Sequence, residues 1–536
     1  MAIQALLKRN TYYDSITLMS VAQAVKDLPG VEDAGAVMAT ATNLELLYNS
    51  NLLPAAFLAE QEKPPGPEDL LIVVRTMDEA NAQAVLVVAE ERLTSGDKGT
   101  APGNGATLPT RSLEMALRRD EAAKLAVISV AGEHAWLEAE QALRHGLHVF
   151  LFSDNVPLEQ EQRLKALAAS KGLLLMGPDC GTAIINGVGL GFCNVAPRGS
   201  IGIVGASGTG MQQLICLIAA AGPGISQAIG TGGRDLSEAI GGVMMRSGLQ
   251  LLADDPQTAV IVLVSKPPAE RVAHELLAAQ VDKPVVIVFL GTERFAKVAG
   301  KTHLARTLTE GAERAVSLAG GDATRVPGKG SLLKQESRLA AERAKLASSQ
   351  RYIRALYSGG TLCDEAMLLL SERVEAVTSN IPLRPEWALA AGEVYRGHTA
   401  LDLGSDEFTR GRPHPMIDPS IRLQYLDRAV EDAETAVILL DIVLGFCAHA
   451  NPAAVYAPAI VQARTRAAAA GRALPVIISL CGTEGDPQRL SMQRKALEAA
   501  GALVFESNVA AALATASLVS DFDIPTNIQA EETRYG

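Results

Sequence analysis

The chemistry this chain could do starts at two glycine-rich turns. Gly205-Ala206-Ser207-Gly208-Thr209-Gly210 follows the apolar run SIGIV and opens MQQLICLIAAAG, so it joins a strand to a helix. Glycine lets the backbone turn sharply and lets a ligand approach closely. The first N–H groups of a helix lack intrahelical acceptors, and the macrodipole behind them favours an anion. The Ser207 and Thr209 hydroxyls add hydrogen-bonding groups beside them. A phosphate suits such a loop; a tight turn without ligand is the alternative. No lysine follows Gly210, which excludes a Walker loop, and the spacing is not GxGxxG. Tyr357-Ser358-Gly359-Gly360-Thr361 repeats the strand-to-helix context. Ligands of open α/β sheets bind beyond the carboxyl ends of strands, so two facing loops could share one anion. The phosphate-binding candidates are therefore Ala206, Ser207, Gly208, Thr209 and Gly210 with Ser358, Gly359, Gly360 and Thr361.

Other polar constellations stand at comparable places. Gly411-Arg412-Pro413-His414-Pro415-Met416-Ile417-Asp418 is a loop stiffened by prolines. Arg412 could fork onto a carboxylate or phosphate, and His414 could move a proton near neutral pH. Alternatively the loop is structural. Gly232-Gly233-Arg234-Asp235 offers Arg234 as an anion ligand, or an Arg–Asp pair closing a turn. Asp179 and Cys180 occupy a strand-end turn as substrate-binding candidates; a buried thiol is the other reading of Cys180. Glu133 and His134, and His449 with Asn451, also sit at strand-to-helix turns. Glu133 there suits a helix dipole.

Alternating elements must position these residues. Residues 1–94 alternate apolar runs such as IQALL, AGAVMA and LLIVVR with helical patterns. Residues 95–110, rich in Gly, Pro and Thr, read as an exposed loop. Residues 111–197 resume strands separated by helices, which implies parallel pairing through right-handed crossovers. Residues 198–320 and 351–520 each begin with a strand, a glycine loop and a helix, joined by a polar connector at 321–350 with one exposed helix. TAVIVLVSK and TAVILLDIV, then KPVVIVFLGTE and LPVIISLCGTE, make a weak internal repeat. The tail 521–536 is polar and is expected to fray. The fold class is multidomain α/β: a Rossmann-like, CoA-binding-like N-terminal domain followed by two flavodoxin-like domains.

Composition narrows the functions. A chain of 536 residues exceeds one core and implies three or four domains. Apolar residues make up 48% and aromatics 4%, which suits layered α/β packing. A net charge of −12 without a basic, aromatic-laced stretch speaks against nucleic acid. No apolar run is long enough for a membrane span, and the N-terminus carries no secretory pattern. The six cysteines form no CxxC pair, so neither a zinc site nor a disulfide framework is expected, and a reducing cytoplasm is.

The longer motifs resemble succinyl-CoA synthetase. MGPDCGTA is similar to the segment ending its CoA-binding domain, and GSIGIVGASGTG to the start of its α subunit's second domain. LYSGGTLCDEA, ALDLGSDE and VILLDIVLGFCAHANPA resemble its β subunit's C-terminal domain. Through AVISVAGEHAWLEAEQAL, LFSDNV, GGRDLS, SKPPAE and GRPHPMIDP the chain resembles, over nearly its whole length, the FdrA family, which joins both parts. That resemblance implies an acyl-CoA synthetase, or one component of oxamate carbamoyltransferase in purine (allantoin) catabolism, where carbamoyl phosphate and oxamate interconvert with oxalurate and phosphate. It implies companion subunits, with this chain as a homodimer inside a hetero-oligomer, and phosphate or carbamoyl phosphate as ligand.

Four departures from the ligase matter. KRNTYYDSITLM carries no glycine where the ligase seats the CoA pyrophosphate, which speaks against CoA; Asn10, Thr11, Asp14 and Ser15 there could cap a helix. The ligase's phosphohistidine segment is shortened, leaving His303 nearby in AGKTHLARTL. Lys266 of VSKPPAE falls where the ligase has a carboxylate steadying that histidine. No ATP-grasp domain is present, so an ATP-dependent ligase would need a partner. The expected reaction is a carbamoyltransferase step with Lys266 and His414 as catalytic residues and Arg234 and Arg412 completing a cation shell. A ligase half and a non-catalytic scaffold are the alternatives.

Overall fold

A computed structural model describes residues 2–520 except 14, 27, 41–42, 45–46, 49–51, 54–56, 58–60, 62, 96–109, 111, 280, 292–299, 391 and 410–411. The loop expected at 95–110 therefore lies almost entirely outside the described residues, as do the 521–536 tail, Asp14 and Gly411. The chain divides into two compact units, Met1–Arg111 with Thr409–Pro413, and Ser112–Phe408 with His414–Gly536.

The first unit holds strands β1 (Ala2–Lys8), β2 (Val31–Met38) and β3 (Leu70–Thr76), with β3 central and both pairings antiparallel. β3, LLIVVRT, is apolar throughout because both its faces are covered. Leu70, Ile72 and Val74 pack with the helices Ser15–Lys26 and Glu79–Ser95, while Leu71 and Val73 pack with Leu47, Leu52 and Leu53. The sequence placed residues 1–94 beside a parallel CoA-binding-like sheet. Antiparallel pairing sets β1 and β2 on the two sides of β3, so the described strands of this segment form a sheet of their own. The Asn10 N–H donates to Asp69 and the Thr11 hydroxyl to the Arg9 carbonyl.

Among the described residues the second unit contains three sheets. β4 (Leu125–Ile128), β5 (His148–Leu151) and β6 (Leu175–Met176) pair in parallel in that order. β7 (Thr182–Ile185) and β8 (Val188–Gly191) form a hairpin that joins the next sheet. That sheet adds β9 (Arg198–Ala206), β10 (Ile225–Gly230), β11 (Val260–Ser265), β12 (Val285–Phe289) and β13 (Thr302–Leu304), in the order β13-β12-β11-β9-β10-β7-β8. The last sheet comprises β14 (Tyr352–Tyr357), β15 (Val377–Ser379), β16 (His398–Asp402), β17 (Thr435–Val443), β18 (Val476–Cys481) and β19 (Leu503–Phe505), all parallel, in the order β15-β16-β14-β17-β18-β19.

These two larger sheets share one core. The helices Gly208–Ala221, Leu308–Leu318, Gly360–Ser371 and Asn508–Val519 lie within it and pack on one another. The first and third are the helices opened by the two glycine loops, and their apolar composition all round reflects this double burial. The 321–350 connector is less exposed than its polarity suggests, since Leu332 and Leu339 insert into the same core.

Candidate active site

Both glycine loops stand at carboxyl ends of parallel strands, β9 lying between β10 and β11 and β14 between β16 and β17. Ser207 caps the first helix in extended conformation, its Oγ accepting the Gly210 N–H at 3.0 Å. The same hydroxyl donates to Thr361 Oγ1 at 2.6 Å, so the two loops touch directly. Their glycines make the approach reciprocal. A methyl added at Gly359 would stand 2.7 Å from Thr209 Oγ1 and Cγ2, and one at Gly210 3.0 Å from Thr361 Cγ2.

The second loop is half occupied by the protein itself. The carboxylate of Asp441, fully buried on β17, accepts the Ser358 N–H at 2.7 Å and the Gly359 N–H at 2.9 Å. It also takes the Ser358 hydroxyl at 3.0 Å. Arg422, only 2% exposed, pairs with Asp441 at 2.9 Å and donates to the Leu356 carbonyl and to Tyr456 Oη. Ser358 and the Gly359 N–H are thus spent on an internal carboxylate and are not free for phosphate, contrary to expectation. The open part of the seat is the first turn of each helix, at Gly208-Thr209 and Gly360-Thr361.

Lys266 follows β11 and Asp402 ends β16, and both arrive at the second helix's N-terminus. A methyl built on Gly360 would stand 2.5 Å from Lys266 Nζ and 2.6 Å from Asp402 Oδ2. Burial opposes the Lys266 charge, but Asp402, Asp364 and Asp179 hold the ammonium above its usual range. Burial pushes Asp402 up to about 6, with Lys266 and the Gly404 N–H acting against it. Asp364, one turn into the helix, is pushed to about 7 by burial, again opposed by Lys266. The seat therefore places the Lys266 ammonium among buried carboxyl groups whose proton affinity is raised.

The remaining candidates fall into place around it. Asp179 has the left-handed φ of 55°, unusual outside glycine. Surrounding protein, then Asp154, raise its carboxyl to about 7, and a methyl on Gly233 would meet its Oδ2 at 3.3 Å. Cys180 is no nucleophile: its buried thiol donates to the Thr182 carbonyl and burial pushes it up to about 12. Arg234 is committed to Glu161 at 2.9 Å and to the Val156 carbonyl at 2.7 Å, not to Asp235. Asp235 instead pairs with buried Lys165 and accepts the Met245 N–H at a helix start.

His414 lies against Phe192, ring centroids 5.6 Å apart, and its Nε2 would stand 2.7 Å from a methyl on Gly404. Nδ1 accepts the Met416 N–H, so the ring proton sits on Nε2. Burial, then Arg422, lower His414 to about 4, which keeps the ring neutral near pH 7. Arg412 belongs to the other compact unit. His303 pairs with Val286, well short of the strand end at Phe289, so it does not reach the carboxyl-end site. Glu133 and His134 are exposed neighbours, and Asn451 caps a helix, with its N–H donating to His449 Nδ1.

Sequence reasoning missed Asp402, Asp364 and the Asp441–Arg422 pair. Two signals were present. Asp441 interrupts the otherwise apolar VILLDIVL, and Asp402 closes ALD at a strand end. A charge inside a buried strand needs a partner, and a strand-end carboxylate faces the ligand side.

One wholly parallel sheet, and one parallel but for its β7–β8 hairpin, meet through the two glycine-loop helices in a multidomain α/β fold with CoA-binding and CoA-ligase domains. Residues 356–518 match the CoA-ligase family model and 197–291 the CoA-binding domain. Residues 1–108 match the heavy metal-associated domain of AllF. The chain is 43% identical over 520 residues to the uncharacterized protein YahF of Escherichia coli (strain K12), covering 95% of this chain and 97% of that one. It belongs to the YahF family. It is also 27% identical to the alpha subunit of the ADP-forming succinate–CoA ligase of Aquifex aeolicus (strain VF5), over 36% of this chain and 66% of that subunit. With SqwL, a subunit of the ADP-forming sulfoacetate-CoA ligase of Acholeplasma sp, it shares 25% identity over 32% of this chain and 60% of that subunit.

A heavy metal does not fit the first unit. Soft metals take thiolate ligands, and the first cysteine of the chain is Cys180. Among the described residues no group of three His, Cys, Asp or Glu side chains could hold a metal ion. No described helix is long and apolar enough to cross a membrane.

Proposed function

We propose that this chain is an acid–thiol-ligase-like enzyme subunit whose glycine loops hold the phosphate of an acyl phosphate. The observation carrying this reading is the 2.6 Å hydroxyl contact between Ser207 and Thr361, which joins two helix N-termini beside Lys266. An acyl phosphate needs its leaving oxygen stabilised and its acyl carbon presented to a nucleophile. Helix N-termini and an ammonium supply the first, and positioning supplies the second. The resemblance to CoA ligases makes a CoA thiol the acceptor. The first glycine loop lies within the matched CoA-binding segment, and its Gly208 and Thr209 N–H groups suit a phosphate end. His303 stands away from the strand ends, so the reading involves no phosphohistidine there.

The FdrA resemblance supports a second acceptor. Carbamoyl phosphate is itself an acyl phosphate, and the same seat would serve transfer to the amide of oxamate. In both cases the chain works with companion subunits, an ATP-grasp partner for the ligase reaction, in the cytoplasm. The test is acceptor-dependent phosphate release from acetyl phosphate and carbamoyl phosphate, with CoA or oxamate, with and without neighbouring gene products. CoA-dependent release supports the ligase reading, and oxamate-dependent release supports the carbamoyl one. No acceptor-dependent release under any condition would overturn the proposal.

A further inference from the structure

Asp402 is 3% exposed, yet only one of its carboxylate oxygens has a hydrogen-bond donor among the described residues. Oδ1 accepts the Gly404 N–H at 3.0 Å, whereas Oδ2 points toward Gly360. Lys266 Nζ converges on the same point from β11. The two charged atoms stand within about 5 Å of each other across the helix N-terminus, by their 2.5 and 2.6 Å distances to one position. They form no ion pair. Two groups so placed can both touch one phosphate oxygen.

Charge decides what can bind there. Facing Asp402 are Lys266, Asp364 and Cys363 from the second helix, Asp441 below and Asp406 beyond. Arg422 neutralises Asp441. That leaves Lys266 against Asp402, Asp364, Asp406 and, from the turn between β6 and β7, Asp179, so a dianion entering this seat meets like charges at close range. Repulsion of this kind is relieved by binding a proton, and Asp402, whose Oδ2 stands beside the Gly360 position, is placed to take it.

Resting on the acyl-phosphate reading of the site, we propose that Asp402 is its proton-carrying catalytic residue, sharing one proton with phosphate bound at Lys266 and Gly360. In turnover X bonds to the acyl carbon while the bond between that carbon and the phosphate oxygen breaks, its electron pair leaving with the phosphate. The protonated Asp402 gives its proton to that departing oxygen. The acceptor's X–H proton then passes to the vacated Asp402 Oδ2. Atoms and charge balance without any further reactant. Lys266 stabilises the departing oxygen throughout, and Asp402's raised proton affinity suits the role.

Isothermal titration of the full chain with inorganic phosphate and with sulfate, in buffers of different ionisation enthalpy, counts protons taken up on binding. Sulfate carries no proton near neutrality, so its uptake must reside on the protein. Near pH 8 the expected result is uptake approaching one proton per sulfate, lost in Asp402→Asn, whose anion affinity should also lose most of its pH dependence. Binding without proton uptake in the unaltered chain overturns the role of Asp402 and leaves the phosphate seat standing. Uptake that persists in a folded Asp402→Asn chain also overturns it. Failure of either anion to bind at tens of millimolar removes both the seat and this inference.

Discussion

Gly359→Ala tests the meeting of the two loops most directly. Gly359 has φ −111° and ψ 109°, which alanine adopts without strain, so any effect comes from the added methyl. That methyl would stand 2.7 Å from Thr209 Oγ1 and Cγ2 and 2.8 Å from its Cβ. Contacts that short force one loop away from the other. Overpacking of this kind costs about 1–3 kcal/mol. Separation also loses the Ser207–Thr361 hydrogen bond, worth about 1 kcal/mol. If about 2 kcal/mol of this falls on the seat, phosphate binds about 30-fold more weakly, since 1.4 kcal/mol is tenfold. Titration calorimetry reads the affinity, and thermal unfolding reads the remainder. The companion change is Thr209→Gly, which removes all three clashing atoms. The double variant should recover to within about 1 kcal/mol, the cost of glycine in a helical turn. An unchanged affinity and melting temperature for Gly359→Ala, or no recovery in the double variant, would refute the interlocked-loop geometry.

Two further outcomes follow from the buried charges. Asp364 has its carboxyl raised from 3.8 to about 7, so the native state holds a proton that the unfolded chain releases. Its contribution is full below pH ~4 and disappears as pH rises through ~7. Asp364→Asn should therefore stabilise the chain at pH ~8 by up to about 4 kcal/mol and do little at pH ~4; coincident melting profiles across that range would exclude it. Arg422→Ala leaves Asp441 buried with only the N–H groups and hydroxyl of Ser358 and Gly359, and should cost about 3–5 kcal/mol. Hydrogen exchange at β14 and β17 should show the loss, and protection equal to the parent's would contradict it.

The larger sheets were legible because their strands are short apolar runs separated by helices, which leaves parallel pairing as the economical solution. The glycine loops were legible because Gly, Ser and Thr at a strand-to-helix turn have a local reason to be there. What was not legible is set by distance. Asp441 lies 83 residues from the Ser358 N–H it occupies. Ser207 and Thr361 are 154 residues apart. Such pairs follow from how the sheets face each other, not from spacing. The first unit's separate antiparallel sheet was not legible for a different reason: element order alone does not fix whether strands run parallel.

The internal carboxylate of Asp441 changes what the second loop contributes. In a symmetric site two equivalent cradles would clamp one phosphate. Here one cradle keeps its open helix turn and adds Lys266 and Asp402, while its strand-side N–H groups already hold a charge balanced by Arg422. That internal pair fixes the Ser358-Gly359 backbone at no demand on the ligand, so the Gly360 N-terminus stays aimed whether or not an anion is bound. In the proposed reaction the guest would meet Lys266 and Asp402 on one side and the Ser207 loop on the other. This asymmetry suits a reaction in which a phosphate leaves and a proton must travel, and it does not require phosphate to be stored on a histidine.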